Sequence, residues 1–571
     1  MSSAPDSSAS PEQARLRAPE EARERPAGGR PRPRRAAGTG TGGSAQGAHP
    51  ADVCPDHDDD ARPDPLALAP GERGGRFGIP GGLAANGRGR GTGAWAGPTA
   101  LTAVLVALGA VMTVLQKTPC LLHGWGAPNV YYAGCYSDWA ALYAGRGFAA
   151  DAWAPFQAGS TFEYPVLMSF VASVAAQVTQ WVPVADGRGT LVFWVVNLLF
   201  VVALWAAVAV LTVRMAGRRW TDGLMVAGAP GIILAGTINW DMWAVALMAW
   251  GMYVWSRGRP GWAGVLFGLG AATKLYPLLI LGPLLILAVR SRRWGPFLRA
   301  TAGAVVAWLA VNLPLMLTHF DSWKVFFTFS SERGSGLSSV WHAWDVVAAK
   351  AGWPTVDADR LSLYAWGAFA VCCLGIFLVG VLARRTPRLA QLTFLVVAAF
   401  VLTNKVYSPQ FVIWLIPLVA LALPRWKDFW VWQVIEALHF FAVWMYLAKG
   451  ASGSEPQHSM DDSVYVAAIL AHMAAVLWLA GRVVWEILHP EDDVVRGPGG
   501  DPARDPGDLY ARGADPVLQG DDGADALRGA VPRVIAGGRG TREASGSGEV
   551  PAVDRAVRVR DDAVGVAGHG V

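Results

Sequence analysis

Apolar runs fill the chain from about residue 100 to residue 488, and polar residues fall in short islands between them. About thirteen runs stand out, near 98–116, 164–182, 190–213, 222–237, 241–256, 261–273, 276–289, 297–317, 362–383, 389–403, 408–423, 429–447 and 463–486. Several are shorter than the ~20 residues that a straight membrane span needs. Short, proline-broken runs survive in lipid only where they pack inside protein or line a wet cavity. The pattern predicts an all-α, polytopic transmembrane bundle over 97–488, with some segments short or re-entrant. On either side, 1–96 and 489–571 are rich in Ala, Pro, Gly, Arg and Asp and poor in aromatic residues. Such stretches bury too little apolar surface to offset chain entropy, so both are expected to be disordered tails. The first apolar run comes too late for a cleavable signal peptide.

Charge in the islands predicts orientation. Arg214/Arg218/Arg219, Arg257/Arg259, Arg290/Arg292/Arg293, Arg384/Arg385/Arg388 and Arg425/Lys427 form basic turns, cytoplasmic by the positive-inside rule. Both tails then lie in the cytoplasm of a plasma-membrane protein. The loop 117–163, the turn at 239–241, Lys274–Tyr276, the long loop 318–361, Asn404–Gln410 and 448–462 face outward. A parity conflict follows, because two apolar runs separate residue 117, outside, from Arg214, inside. One of them must fail to cross. The run 164–182 is the candidate, since it opens at a proline and carries Gln177, Thr179 and Gln180. About twelve true spans remain, unless the basic cluster Arg214–Arg219 breaks the rule instead.

Composition agrees: 53% hydrophobic, 16% charged and a mean hydropathy of +0.31 exclude a soluble core. The net charge of +4 is small and sits mostly in the tails and turns, so it reads as topology rather than nucleic-acid binding. Arg, Ala, Gly and Val are abundant and Lys is rare, the bias of a high-GC bacterial genome. Of the five cysteines, Cys372 and Cys373 lie in an apolar run and Cys54 in the N-terminal tail. Cys120 and Cys135 flank the first outer loop, where a disulfide or two free thiols are both open.

Candidate chemistry collects at the outer ends of the runs. Asp138, Glu163, Asp241, Lys274, His319, Arg333, His342, Lys405 and Gln410 all fall on that face. A charge at mid-membrane costs roughly 2.5–3.5 kcal/mol on insertion scales, so such groups usually line a cavity and act. For any one of them, snorkelling to the interface is the plain alternative. No His, Cys or Asp cluster has metal-ligand spacing, and no nucleotide-binding glycine loop is present. Gly268-Leu269-Gly270 lies inside an apolar run, where small residues permit close helix packing.

The order of these islands carries a resemblance. Tyr136-Ser137-Asp138 follows the first run, Phe162-Glu163-Tyr164-Pro165 opens the second, and Asn239-Trp240-Asp241 precedes the fifth. A glycine-rich run then ends in Thr273-Lys274-Leu275-Tyr276-Pro277, and Tyr407-Ser408-Pro409-Gln410 leads to Trp414 and Pro417. This resembles glycosyltransferase family 87, polyprenol-phosphate-mannose-dependent enzymes of the GT-C superfamily, over about residues 100–486. The resemblance implies a GT-C-type bundle. It also implies transfer of a sugar, mannose by the family default, from a polyprenyl-phosphate donor to a glycolipid, lipoglycan or other envelope acceptor at the outer face.

Under that implication Asp138 is the general base that takes the acceptor's proton, with Glu163 as runner-up. A helix cap is the plain reading of Asp138. Lys274, Lys405 and Arg333 are candidates to hold the donor phosphate. His342, between Trp341 and Trp344, either orients a phosphate or hydroxyl or is a surface residue. Tyr136, Tyr164, Asn239, Asp241, Tyr407 and Gln410 complete the candidate donor- and acceptor-binding set. No cofactor is implied beyond the lipid-linked donor, a divalent ion at Asp138 is unsupported, and no protein partner is legible. The rival reading, a transporter or flippase for lipid-linked sugars, predicts an internal repeat and mid-membrane charges. A scaffold acting through its tails would leave Asp138, Lys274 and Lys405 without a role.

Overall fold

The computed structural model describes residues 96–183, 188–452 and 460–496. Cys54 and nearly all of both expected tails lie outside them. Among the described residues the fold is helical, with no strand. The first span, α1 (Ala96–His123), runs past the apolar stretch into the outer loop. Short helices α2 (Asn129–Tyr132) and α3 (Asp138–Gly145) follow, and a disulfide joins Cys120 to Cys135 with 5.9 Å between their Cα atoms.

The next helix, α4 (Val166–Trp181), covers the run singled out by the parity conflict. Its first turn adjoins Tyr164, whose carbonyl accepts from Ser169 Oγ. Near its far end Gln177 accepts from the Trp153 indole and Gln180 donates to the Phe148 carbonyl. The far end of α4 is thus tied by side-chain bonds to the loop 117–163. The chain then leaves through α5 (Gly189–Ala216), whose first residue lies against Tyr143 of α3.

The return run is broken into α6 (Leu224–Ala227) and α7 (Pro230–Ala235). A break frees backbone groups that lipid cannot satisfy. Here the Gly231 amide donates to Gln433 Oε1, and Thr113 Oγ1 donates to the Ile233 carbonyl. Then come α8 (Asp241–Trp255), α9 (Pro260–Thr273), α10 (Leu281–Ser291) and α11 (Gly295–Thr318). The glycines of α9 act as expected: a Cβ on Gly264 or Gly268 would strike the backbone of Ala300 or Ala304 on α11. Close approach of the two backbones depends on those missing side chains.

The stretch expected to be a long loop, 318–361, is largely helical, with α12 (Phe320–Glu332) and α13 (Val340–Ala351). After it come α14 (Ala358–Leu382), α15 (Leu389–Thr403), α16 (Val412–Ala422), α17 (Trp426–Ala451) and α18 (Asp462–Leu488). Almost every residue of α15 and α16 is buried, which makes this short pair the hub of the bundle. Six helices among the described residues are long and apolar enough to cross a membrane, and α1 and α14 leave most of their apolar surface outward.

The basic turns do more than orient the chain. Arg290 donates to the carbonyls of Gly380, Val381 and Ala383 at the end of α14, and Arg388 to those of Leu421 and Ala422 at the end of α16. Cations there satisfy carbonyls that a helix end leaves open. The first residues assigned to the C-terminal tail are packed among these turns, a correction to the 489 boundary. Asp493, 1% exposed, pairs with Arg388, while Arg219 donates to the Val494 carbonyl and Arg425 to that of Asp492. Arg219, Arg388 and Arg425 thus share one face.

Candidate functional site

The site is assembled where the loop 117–163 docks onto the turn before α8. Ser137 Oγ donates to the Thr237 carbonyl at 2.8 Å, and the Asp138 amide donates to the Ile238 carbonyl at 2.7 Å. Asp138 is the first residue of α3, not its cap; Ser137 holds the cap position without a side-chain bond. The Asp138 carboxylate is thereby free for other partners. Its Oδ2 accepts from Asn239 Nδ2 at 3.3 Å and faces the Tyr164 hydroxyl at 3.4 Å, and Tyr136 also hydrogen-bonds to the group.

Asn239 has a second task, because its Oδ1 accepts the Asp241 amide and so shapes the start of α8. The buried Asp241 carboxylate accepts from Lys274 Nζ at 2.8 and 2.7 Å and from the Trp414 indole at 2.7 Å. Tyr276 stacks on Trp414, and Phe411 stacks on its neighbourhood with ring centroids 3.9 Å apart. The Lys274 ammonium lies 5.6–5.9 Å from the rings of Tyr164, Phe411 and Trp414, within cation–π range. Asp138, Tyr164, Asn239, Asp241 and Lys274 therefore form one cluster floored by aromatic rings.

Burial pushes the Asp138 carboxyl above its usual range, opposed by the hydrogen bonds from Tyr136 and Asn239 and by the Lys274 charge. A raised carboxyl is a stronger base once ionised. Asp138 makes no ion pair among the described residues, and nearby Lys274 is already bonded to both oxygens of Asp241. Glu163, the runner-up base, is matched differently: Arg146 grips both its oxygens at 2.8 and 3.0 Å. That pairing occupies both oxygens and leaves neither open to an acceptor hydroxyl.

The other predicted cations gather elsewhere. Lys405 Nζ donates to the Ser331 carbonyl and to Ser362 Oγ, both neutral, at 2.8 and 2.9 Å. Burial first, and then the charge of Arg333, hold its ammonium below the ordinary value. Arg333 is exposed, with its guanidinium 5.9 Å from the Phe329 ring. Among the described residues neither cation pairs with a carboxylate, which leaves both charges available to an anion. The Gly336 amide donates to the Lys405 carbonyl at 2.7 Å, and a Cβ on Gly336 would crowd Val406, so the loop 333–339 lies flat on 404–407. Tyr407, on the same segment, stacks on Phe411, and Gln410 is buried beside it, so the turn 404–414 links this pair to Trp414 and Asp241.

His342 is not a bare surface residue. Its ring meets Tyr446 and Tyr465 edge-on, and burial lowers its basicity, opposed by Asp345 and Asp462. His319 is exposed. Sequence reading passed over Lys117, buried in α1, whose Nζ donates to the Tyr136 carbonyl at 2.8 Å and so braces the segment that leads into Asp138. Side chains of ligating type also meet away from these residues. Glu436 and His439 of α17 meet His472 of α18 with ligand atoms within 4.8 Å of one another. The Glu-x-x-His spacing was the available signal.

The family model of glycosyltransferase family 87 matches residues 162–403. The matched stretch contains Glu163, Tyr164, Asn239, Asp241, Lys274, Arg333 and His342, and excludes Tyr136, Asp138, Lys405, Tyr407 and Gln410. Over that stretch the chain is similar to the family, and the match with the helical, span-rich fold indicates a membrane glycosyltransferase. It does not favour the transporter reading. No curated protein matches the chain.

Proposed function

We propose that the protein moves a sugar, mannose by resemblance, from a polyprenyl-phosphate donor to a hydroxyl of a glycolipid or envelope polysaccharide at the outer face of the plasma membrane. The observation that carries this reading is Asp138: a half-buried carboxylate with a raised pKa, positioned by Asn239 and Tyr164, with no ion pair to neutralise it. The carboxylate takes the acceptor's proton as its oxygen attacks the anomeric carbon. The bond from that carbon to the phosphate oxygen breaks, and the phosphate departs with the electron pair.

Charge growing on the leaving phosphate needs fixed cations nearby. Lys405 and Arg333 suit that task better than Lys274, whose charge is held by Asp241. Lys274 then holds Asp241 in place and, through it, the Asn239 turn that aims at Asp138. The aromatic floor of Tyr164, Trp414 and Phe411 offers faces for a sugar ring. Membranes containing the protein, supplied with radiolabelled polyprenyl-phosphate mannose, should pass label to a second lipid or polymer. Label that crosses the bilayer still attached to its original lipid would support transport instead.

A further inference from the structure

We propose that Glu436, His439 and His472 form a binding site for a zinc-class divalent ion near the middle of the bundle. The inference stands independently of the transferase reading. Three side chains of ligating type converge from two helices, all buried, with exposures of 5%, 2% and 0%. His439 lies near the midpoint of α17, where an apolar partner would ordinarily be expected in a span.

The hydrogen bonds around the cluster leave ligand lone pairs open rather than closing them. His472 Nε2 lies 3.2 Å from the Ser338 carbonyl, which can only accept, so this nitrogen carries the proton. In the neutral ring its Nδ1 is then a lone pair, 3.6 Å from Glu436 Oε2. Glu436 Oε1 accepts the Trp432 indole at 3.0 Å, which orients the carboxylate and leaves Oε2 free. One ring nitrogen donating to a carbonyl while the other is offered inward is the outer-shell pattern of metal-ligating histidines.

His439 supplies the strongest sign. Among the described residues neither of its ring nitrogens has a hydrogen-bond partner, and the buried Tyr407 hydroxyl has none either. The Tyr407 ring lies 4.6 Å from that of His472. Orphaned polar atoms in a core are costly, and a cation bound by both imidazoles and the carboxylate would satisfy them together. Two neutral nitrogens and one carboxylate suit zinc and its borderline neighbours rather than calcium or magnesium. A Glu-x-x-His pair on one helix facing ligands on another is a pattern that helical bundles use for metals.

Binding requires a local adjustment. The His439 and His472 rings are stacked with centroids 3.8 Å apart. A tetrahedral zinc site holds its ligand atoms about 3.3 Å apart, so His439 must turn out of the stack toward Glu436. Tyr407 and Ser338 tie the cluster to the segments 404–407 and 333–339, which carry Lys405 and flank Arg333, so the ion would brace the anion-binding pair from beneath.

The full-length protein, purified in detergent without chelator, is the material for the test. It should contain about one equivalent of zinc, lose thermal stability on dialysis against EDTA, and regain it with added Zn²⁺. Co²⁺ should give the visible bands of a tetrahedral site. His439→Ala removes a side chain with no hydrogen bond to lose, so it should fold, yet hold less than a tenth of that metal and show no Co²⁺ bands. Glu436→Gln should behave likewise. Wild-type protein that takes up no more Zn²⁺ or Co²⁺ than His439→Ala, with a melting temperature unmoved by EDTA or Zn²⁺, overturns the proposal.

Discussion

Asp493→Ala tests whether residues 490–496 belong to the folded bundle. In the wild type, Arg388 Nε and Nη2 donate to the two Asp493 oxygens at 2.9 and 3.0 Å, and both side chains are 1% exposed. The guanidinium also donates to the carbonyls ending α16, so it cannot swing out to water without leaving them open. Removing one partner of a buried pair leaves an uncompensated charge and costs about 3–5 kcal/mol. With an unfolding entropy of about 2.1 cal/mol/K per residue, as in soluble proteins, and 390 described residues, that is a fall in melting temperature of about 4–6 °C. Burial raises the Asp493 carboxyl, but the Arg388 charge and hydrogen bonds, then Arg496, outweigh it and hold it below the usual range. A depressed carboxyl contributes fully above its unfolded value, about pH 3.9, and loses that contribution as pH falls through the folded one. The gap between wild type and variant should therefore be constant from neutral pH to about pH 5 and close in stronger acid. Melting in detergent, followed by size-exclusion fluorescence, measures it. A chain ended after Arg496 should match the full protein, and one ended after His489 should match Asp493→Ala. An Asp493→Ala protein that melts with the wild type would refute the reasoning.

Other consequences are open to direct measurement. Because burial raises Asp138, the carboxylate form is lost as pH falls through a value above the ordinary 3.9 or so; kcat/KM for transfer should show an acid limb there, and a flat profile down to pH 4 would contradict it. Lys405→Ala and Arg333→Ala should mainly raise the KM for donor, whereas Lys274→Ala, which strands the buried Asp241, should lower the yield of folded protein; equal donor effects in all three would erase the distinction. Gly264→Leu should cost more than the 1–3 kcal/mol or so of ordinary overpacking, since its side chain meets α11 backbone, while Gly282→Ala, with open space around its Cβ, should melt normally.

Much of this architecture is legible in the chain because polar islands between apolar runs are a strong signal. Asp138, Asn239, Asp241 and Lys274 stand out for that reason, and they come together. So does the odd segment 164–182: Gln177 and Gln180 marked it, and both bond to the outer loop. What sequence hides is pairing. Arg146 lies in the same loop as Glu163, yet nothing local says that it takes both oxygens. Trp414 stands in a motif, yet nothing local says that its indole donates to Asp241. Asp493 sits in a stretch whose composition is that of a tail, and only its partner, far back in the chain, makes it part of the core. Glu436, His439 and His472 are single polar residues within two apolar runs, and helix packing alone brings them together.

The central claim, that Asp138 is the base of a sugar transfer, is tested most directly by Asp138→Asn. The amide keeps the shape and the contact with Tyr164 while removing the proton acceptor. General-base assistance contributes about 10²–10⁴ in rate. Transfer from radiolabelled polyprenyl-phosphate mannose, measured under single-turnover conditions, should fall by that factor with donor binding retained. Near-normal transfer by a normally folded Asp138→Asn protein would contradict the account.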